Sequence, residues 1–166
     1  MNLDEFNAAD AADAASVVAV WAAVPSWVHA VVAARPYGSI DQLATRAGAL
    51  AAQWRTADLD AALAHHPRIG QPPAGAGAEA AVSRREQAAM TDAASAVAAA
   101  IAAGNTAYEE RFGRVFLIRA AGRSPEEILA ELERRMRNDD ETEASEALAQ
   151  LAQIALLRLR GSLAEG

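Results

Sequence analysis

Along most of the chain, apolar residues recur every three or four positions with polar or small residues between them, the period of helices with one buried face. Boundary residues divide the pattern into elements. Asp13 to Val24 reads as a first helix, stopped before Pro25. Ser26 is placed to cap a second over Trp27 to Arg35, which ends at Arg35-Pro36-Tyr37-Gly38. Ser39-Ile40-Asp41-Gln42 reads as a capping box for a helix through about Arg55. Thr56 is a candidate N-cap for a short helix to Ala64, with Leu59 and Leu63 on one face. Ser83-Arg84-Arg85-Glu86 opens a long helix towards Ala103, with Gly104 as its C-terminal stop. Another spans about Asn105 to Phe112 and ends at Gly113. Ser124-Pro125-Glu126-Glu127 joins an N-cap, proline at N1 and glutamate at N3. The last helix runs from about Asp140 to Arg160, with Gly161 beyond it.

Val115-Phe116-Leu117-Ile118 alone has strand character. One short run cannot make a sheet, so it is expected to be an extended connection through the core. No internal repeat and no boundary between domains is visible. The expected architecture is all-α: a single domain over residues 1–166, of about eight helices, with an extended core segment near residues 114–119.

Composition narrows the chemistry. A chain of 166 residues can bury a real core. It has no cysteine, which excludes disulfides, thiolate metal sites and a cysteine nucleophile. The first ten residues lack a basic region followed by an apolar one, and no apolar run approaches the ~20 residues that span a bilayer. A cytoplasmic protein without a membrane partner is expected. Alanine occurs 46 times and all 15 basic residues are arginine, a bias expected of a GC-rich genome. Packing therefore rests on the fewer Leu, Ile, Val, Trp and Phe positions. The net charge of −7 and the lack of a basic stripe argue against nucleic acid. They leave a small anionic ligand open, since a local arginine outweighs a global average.

Three polar residues break this pattern. His66 lies in His65-His66-Pro67-Arg68-Ile69-Gly70, where a helix must stop because proline drives its predecessor out of the α region. An imidazole, which titrates near neutral pH, is thereby set at a corner. Glu86 lies on the stripe of Met90, Ala93, Val97 and Ile101, while Arg84 and Arg85 point away. It is also the N3 partner of Ser83, so a purely structural role stays open. Free amides at such a helix start also suit ligand oxygens. Arg158 falls within the stripe of Ala147, Leu151, Ile154 and Ala155, and Arg160 falls opposite. Arg158 either snorkels at the helix end or is buried with an anion. His29 reads as partly exposed, and Asp139-Asp140-Glu141 as first-turn charge. A metal site at His65 and His66 is weakly supported, because no further ligands have suitable spacing.

The ordered motifs resemble one family. They are Pro25-Ser26-Trp27-Val28, Arg35-Pro36-Tyr37, His66-Pro67-Arg68-Ile69-Gly70, Ser83-x-x-Glu86-Gln87, Asn105-x-x-Tyr108-x-x-x-Phe112-Gly113, Phe116-Leu117-Ile118, Arg137-Asn138 and Arg158-Leu159. Together they resemble the 2-oxo-4-hydroxy-4-carboxy-5-ureidoimidazoline (OHCU) decarboxylases of purine degradation, from about Ser16 to Leu159. Departures occur at Arg114-Val115, where the family usually has Phe-Pro, and at Ala89-Met90, where it usually has Gly-Leu. Neither removes a chemically active group. The resemblance implies a carboxy-lyase forming (S)-allantoin, a homodimer, and catalysis without metal or organic cofactor. It assigns catalysis to His66, Glu86 and Arg158. Substrate contacts are implied at Pro67, Ser83, Gln87 and the backbone of Ile118, Arg119, Ala120 and Gly122. The rival classes are a non-enzymatic all-helical interaction module, and metal-assisted hydrolysis at the paired histidines.

Overall fold

In the computed structural model, which describes residues 1–64, 68–69 and 95–166, every named element among these residues is a helix. They are α1 (Leu3–Ala8), α2 (Ala11–Trp21), α3 (Pro25–Ala33), α4 (Ile40–Ala51), α5 (Thr56–Leu63), α6 (Ser95–Phe112), α7 (Pro125–Arg135) and α8 (Asp140–Ser162). The all-α expectation holds, and the strand-like run at residues 115–118 belongs to no helix and pairs with no strand among the described residues, with Phe116, Leu117 and Ile118 buried and Val115 half-buried.

The chain divides into two compact units, Met1–Ala62 with Leu151–Gly166, and Leu63–Gln150. In the first, α3 packs on α2 and α4. The tryptophans carry much of its core: Phe6 and Trp21 lie 5.9 Å apart, and Trp27 meets Trp54 edge-on at 5.4 Å. Each of two buried indoles also finds an acceptor. Trp21 Nε1 donates to Ser162 Oγ at 2.8 Å, and Trp27 Nε1 donates to the Ala47 carbonyl at 2.9 Å. The Arg35-Pro36-Tyr37 motif has a structural role here. Arg35 Nη1 donates to the carbonyls of Phe6 and Ala9 at 2.6 and 2.8 Å, satisfying acceptors at the end of α1 that the helix leaves open. Tyr37 completes the joint: its N–H and C=O pair with the Asn7 amide, and its hydroxyl donates to the Val31 carbonyl at 2.7 Å.

The boundaries differ from expectation for identifiable reasons. α1 has six residues, too few to show periodicity, yet Asn2 and Glu5 cap it reciprocally. α2 stops at Trp21 because residues 22–24 are extended before Pro25. Pro25 itself takes the first helical position of α3, so Ser26 lies inside the helix and caps nothing. At α4, Ser39 Oγ accepts from the Gln42 N–H, but Gln42 Oε1 accepts from Gly38, leaving half a capping box. α4 ends at Ala51, and Asp58 reaches back to the Arg55 N–H, so Thr56 is the first helical residue of α5 instead of its cap. Ser124 and Glu127 form the full reciprocal box expected of them.

The second unit holds the largest departure. α6 is one helix running through Gly104, which was expected to end it. A Cβ at residue 104 would overlap Leu132 Cδ2, so this glycine is a notch that admits Leu132 of α7. Close helix approach requires a small residue there. The helix ends instead at Gly113, whose φ of +71° is the left-handed conformation that glycine adopts without strain. The long helix expected from Ser83 lies outside the described residues as far as residue 94.

Two glycines should respond oppositely to alanine. Gly104→Ala should lower stability by ~1–2 kcal/mol, because overpacking outweighs the gain in helix propensity. Leu132→Ala should cancel part of that loss in the double variant. Gly161 is helical with nothing within 4 Å of a new Cβ, so Gly161→Ala should raise stability by a few tenths, up to ~0.5 kcal/mol. Urea midpoints of the four variants check both signs.

Candidate active site

Helical phase predicted an inward Arg158, and α8 holds it so. Ala147, Leu151, Ile154 and Ala155 are buried along one stripe, and Arg158 on that stripe is 7% exposed. Its Nη1 donates to the Val20 carbonyl at 3.1 Å. A snorkelling arginine would instead keep its guanidinium in water. Arg160 projects the other way and pairs with Asp41 at 2.7 Å across exposed surface. Such a pair contributes ~0–1 kcal/mol.

The implied contact segment lies in the second unit. Phe116, Leu117, Ile118 and Ala120 are buried, Arg119 is half-buried and Gly122 is exposed. Two elements grip this strip. Arg135 Nη1 of α7 donates to the Leu117 carbonyl at 2.6 Å, and Gln150 Oε1 of α8 accepts the Arg119 N–H at 2.9 Å. The strip then turns: the Arg123 N–H bonds the Ala120 carbonyl at 3.1 Å, with Gly122 at φ +78°. An L side chain at that φ would be strained. Arg119 and Arg123 side chains occupy the Ala121 and Arg119 carbonyls, each at 3.0 Å.

Behind the strip lies a buried polar network that sequence reasoning missed. Arg135 is 1% and Glu143 0% exposed. Arg135 Nε donates to Glu143 Oε1 at 2.8 Å and Nη2 donates to the same oxygen. Tyr108 donates its hydroxyl to that oxygen at 2.6 Å, and Asn138 Nδ2 donates to Oε2 at 3.0 Å. The Arg135 guanidinium also lies 4.6 Å from the centre of the Phe116 ring. A signal exists in the sequence: Ile128, Leu132 and Arg135 share the buried face of α7. Helical phase read only on the flanking helices passes over it. Asp139, read as first-turn charge, caps α8 by accepting the Thr142 N–H at 2.7 Å.

His66, Pro67, Ser83, Glu86 and Gln87 lie outside the described residues. The two residues after Pro67 are described, and α6 holds both. Asn105 Nδ2 donates to the Ile69 carbonyl at 3.0 Å, and Arg68 makes a two-pronged pair with Glu109 at 2.5 and 2.9 Å. Among the described residues no group of three or more His, Asp or Glu side chains could hold a metal ion. No helix there is long and apolar enough to cross a membrane.

A sequence model of one family, described as OHCU decarboxylase, matches residues 7–160. The chain belongs to the OHCU decarboxylase family. That membership decides for a carboxy-lyase of purine degradation over a non-enzymatic helical module. Solved structures agree in fold. One, of an OHCU decarboxylase in the presence of (S)-allantoin, superposes with a TM-score of 0.73 at 22% identity, covering 86% of this chain and 94% of that one. Another, of an (S)-allantoin synthase, gives 0.70 at 19% identity, covering 98% of this chain and 54% of that one. The chain thus spans about half the length of the synthase. A search of curated protein sequences gives no match.

The network sets two expectations for this family member. Glu143→Gln should cost about 3 kcal/mol or more, because Arg135 keeps its charge in a buried site. Glu131→Gln, which weakens an exposed pair with Arg134, should cost less than about 1 kcal/mol by the same urea assay. Both tyrosines of the chain are held above the ordinary phenol value of 10.0. Burial is the first cause for each, and for Tyr108 the bond to Glu143 is the second. A raised folded pKa favours the neutral form, so this stabilisation is present below pH 10 and lost as pH climbs above it. Absorbance at 295 nm should therefore rise only above that value, together with loss of the helical circular dichroism. A phenol titrating normally in the folded protein would contradict the burial.

Proposed function

We propose that this chain converts OHCU to (S)-allantoin with Arg158 as carboxylate anchor, Glu86 as polar clamp and His66 as proton donor. The observation that carries the site assignment is Arg158. A guanidinium stays charged at any ordinary pH, and 7% exposure leaves it mostly out of water in a chain whose family decarboxylates an anion. Charge-assisted bonds from such a group are short and directional.

The reaction needs no external electron sink. The substrate carboxylate sits on a ring carbon beside a C=N bond. As the carbon–carboxylate bond breaks and carbon dioxide leaves, its electron pair enters that conjugated system. The imine pair moves onto its nitrogen; the resulting enol takes a proton on the neighbouring ring carbon, and its hydroxyl becomes the carbonyl of allantoin as the hydroxyl proton passes to that nitrogen. Three functions remain for the protein, namely holding the anion, orienting the ring, and delivering a proton to one face. Arg158 does the first. Glu86, with Gln87 and Ser83, fixes hydroxyl, ureido or ring N–H groups, and Pro67 gives a further substrate contact. The backbone N–H groups of Ile118, Ala120 and Gly122 receive the ring carbonyl, while Arg119, whose N–H Gln150 holds, orders the strip between them. His66 delivers the proton. On this reading the enzyme works as one domain over residues 1–166, as a cytoplasmic homodimer, with no metal or organic cofactor.

Three variants test the assignment. Arg158→Ala should reduce kcat/KM by about 100-fold or more, since a buried charge partner of the substrate is lost. Arg160→Ala should stay within about twofold, because its pair is exposed. His66→Asn should retain the fold and substrate binding but lose enantioselective product formation, with product circular dichroism on freshly generated substrate as the readout. Equal losses in the two arginine variants would overturn the anchor, and enantiopure (S)-allantoin at near wild-type rate from His66→Asn would overturn the donor.

A further inference from the structure

We infer that Asn105 is a positioning residue for the proton-donating corner, acting through the peptide that follows His66-Pro67; this rests on the reading of His66 given above. Asn105 is 4% exposed and lies on the buried stripe of α6, between Ile101 and Tyr108. Leucine has the same branched side-chain skeleton and would bury no amide there. Its Nδ2 donates to the Ile69 carbonyl at 3.0 Å, while its Oδ1 is buried with no hydrogen-bond partner among the described residues. A buried amide with one half unsatisfied is unfavourable unless its other half does something an apolar side chain cannot. The other half holds a carbonyl three residues beyond His66.

A second contact from the same helix points the same way. Glu109, one turn beyond Asn105, pairs with Arg68 through both carboxylate oxygens. α6 thus grips two consecutive residues after His66-Pro67, one by a buried bond and one by a partly exposed pair. Only one residue, Pro67, separates His66 from Arg68 in the sequence, so a shift of the gripped residues is passed to the corner over few bonds. A proton donor must meet one face of one carbon within hydrogen-bond reach, so small displacements of the corner are costly to rate and not to binding.

The test is a double-variant cycle in the full-length enzyme, with hydrogen exchange beside it. Asn105→Leu should lower kcat by about tenfold or more with KM within about twofold, since anchoring lies with other residues. Asn105→Gln, which can still donate to the Ile69 carbonyl from a longer side chain, should recover part of the loss. In the His66→Asn background, Asn105→Leu should change kcat by less than about twofold, because the group it positions is gone. Amide exchange should accelerate in the peptide containing Arg68 and Ile69 and stay unchanged in α7. An equal loss of kcat in both backgrounds would overturn action through His66, and unchanged exchange at Ile69 would overturn the tether itself. His66→Asn alone running at near wild-type rate would overturn the donor assignment, an outcome visible without any Asn105 variant.

Discussion

The ion pair between Arg135 and Glu143 is the constraint on which the second unit depends. Neither charge reaches water, and desolvating both costs several kcal/mol per ion. Only full satisfaction makes that tolerable, and the surroundings supply it. Glu143 accepts from Arg135, Tyr108 and Asn138, while Arg135 directs its third nitrogen to the Leu117 carbonyl and its face to Phe116. Four segments are thereby tied to one point: α6 through Tyr108, the strip through Leu117, α7 through Arg135 and α8 through Glu143. An extended strip has no ladder of its own, so its backbone groups need such partners. The strip that the family resemblance associates with the substrate is held by this network on one side and by Gln150 on the other.

The first unit uses a different device for the same problem. Its helices are short, and short helices leave a large share of their carbonyls open. Arg35 closes α1 with two bonds, and Tyr37 and Asn7 exchange backbone and amide contacts beside it. Arginine in this protein is therefore not one role. Arg35 caps, Arg135 is neutralised, Arg160 is a weak surface partner, and Arg158 is buried on an apolar stripe with a carbonyl contact. Only the last is proposed to meet substrate. Burial and partner set, more than residue type, separate the four.

On the proposed reading the decarboxylation uses no cofactor, so its demand falls on geometry. Substrate electronics accept the electron pair, leaving the protein to fix an anion and aim a proton. On the proposed reading, packed helices serve both needs. α8 carries Arg158, and α6 grips the residues after His66-Pro67. Putting such groups on packed helices limits the displacement that a loop would allow. The grip on Ile69 is buried and the grip on Arg68 is partly exposed, so the first should matter more.

Sequence alone determined the helical class, the full capping box at Ser124 and Glu127, the extended run near Phe116 and the inward phase of Arg158. Each is a local property: a period, a cap or a projection around one axis. The family resemblance was equally legible, because ordered motifs spread across the chain are hard to match by chance. Tertiary structure alone decided what Gly104 is for. A glycine in a helical pattern reads as a stop, and only Leu132 arriving from α7 turns it into a notch. It also decided that Arg135 and Glu143 are partners, that Asn105 faces the Ile69 carbonyl, and that Arg35 reaches back to α1. These pairs are eight to 36 residues apart in the chain, and no local pattern states which distant group will meet a given donor. Local periodicity says which side faces inward. Packing says what waits there.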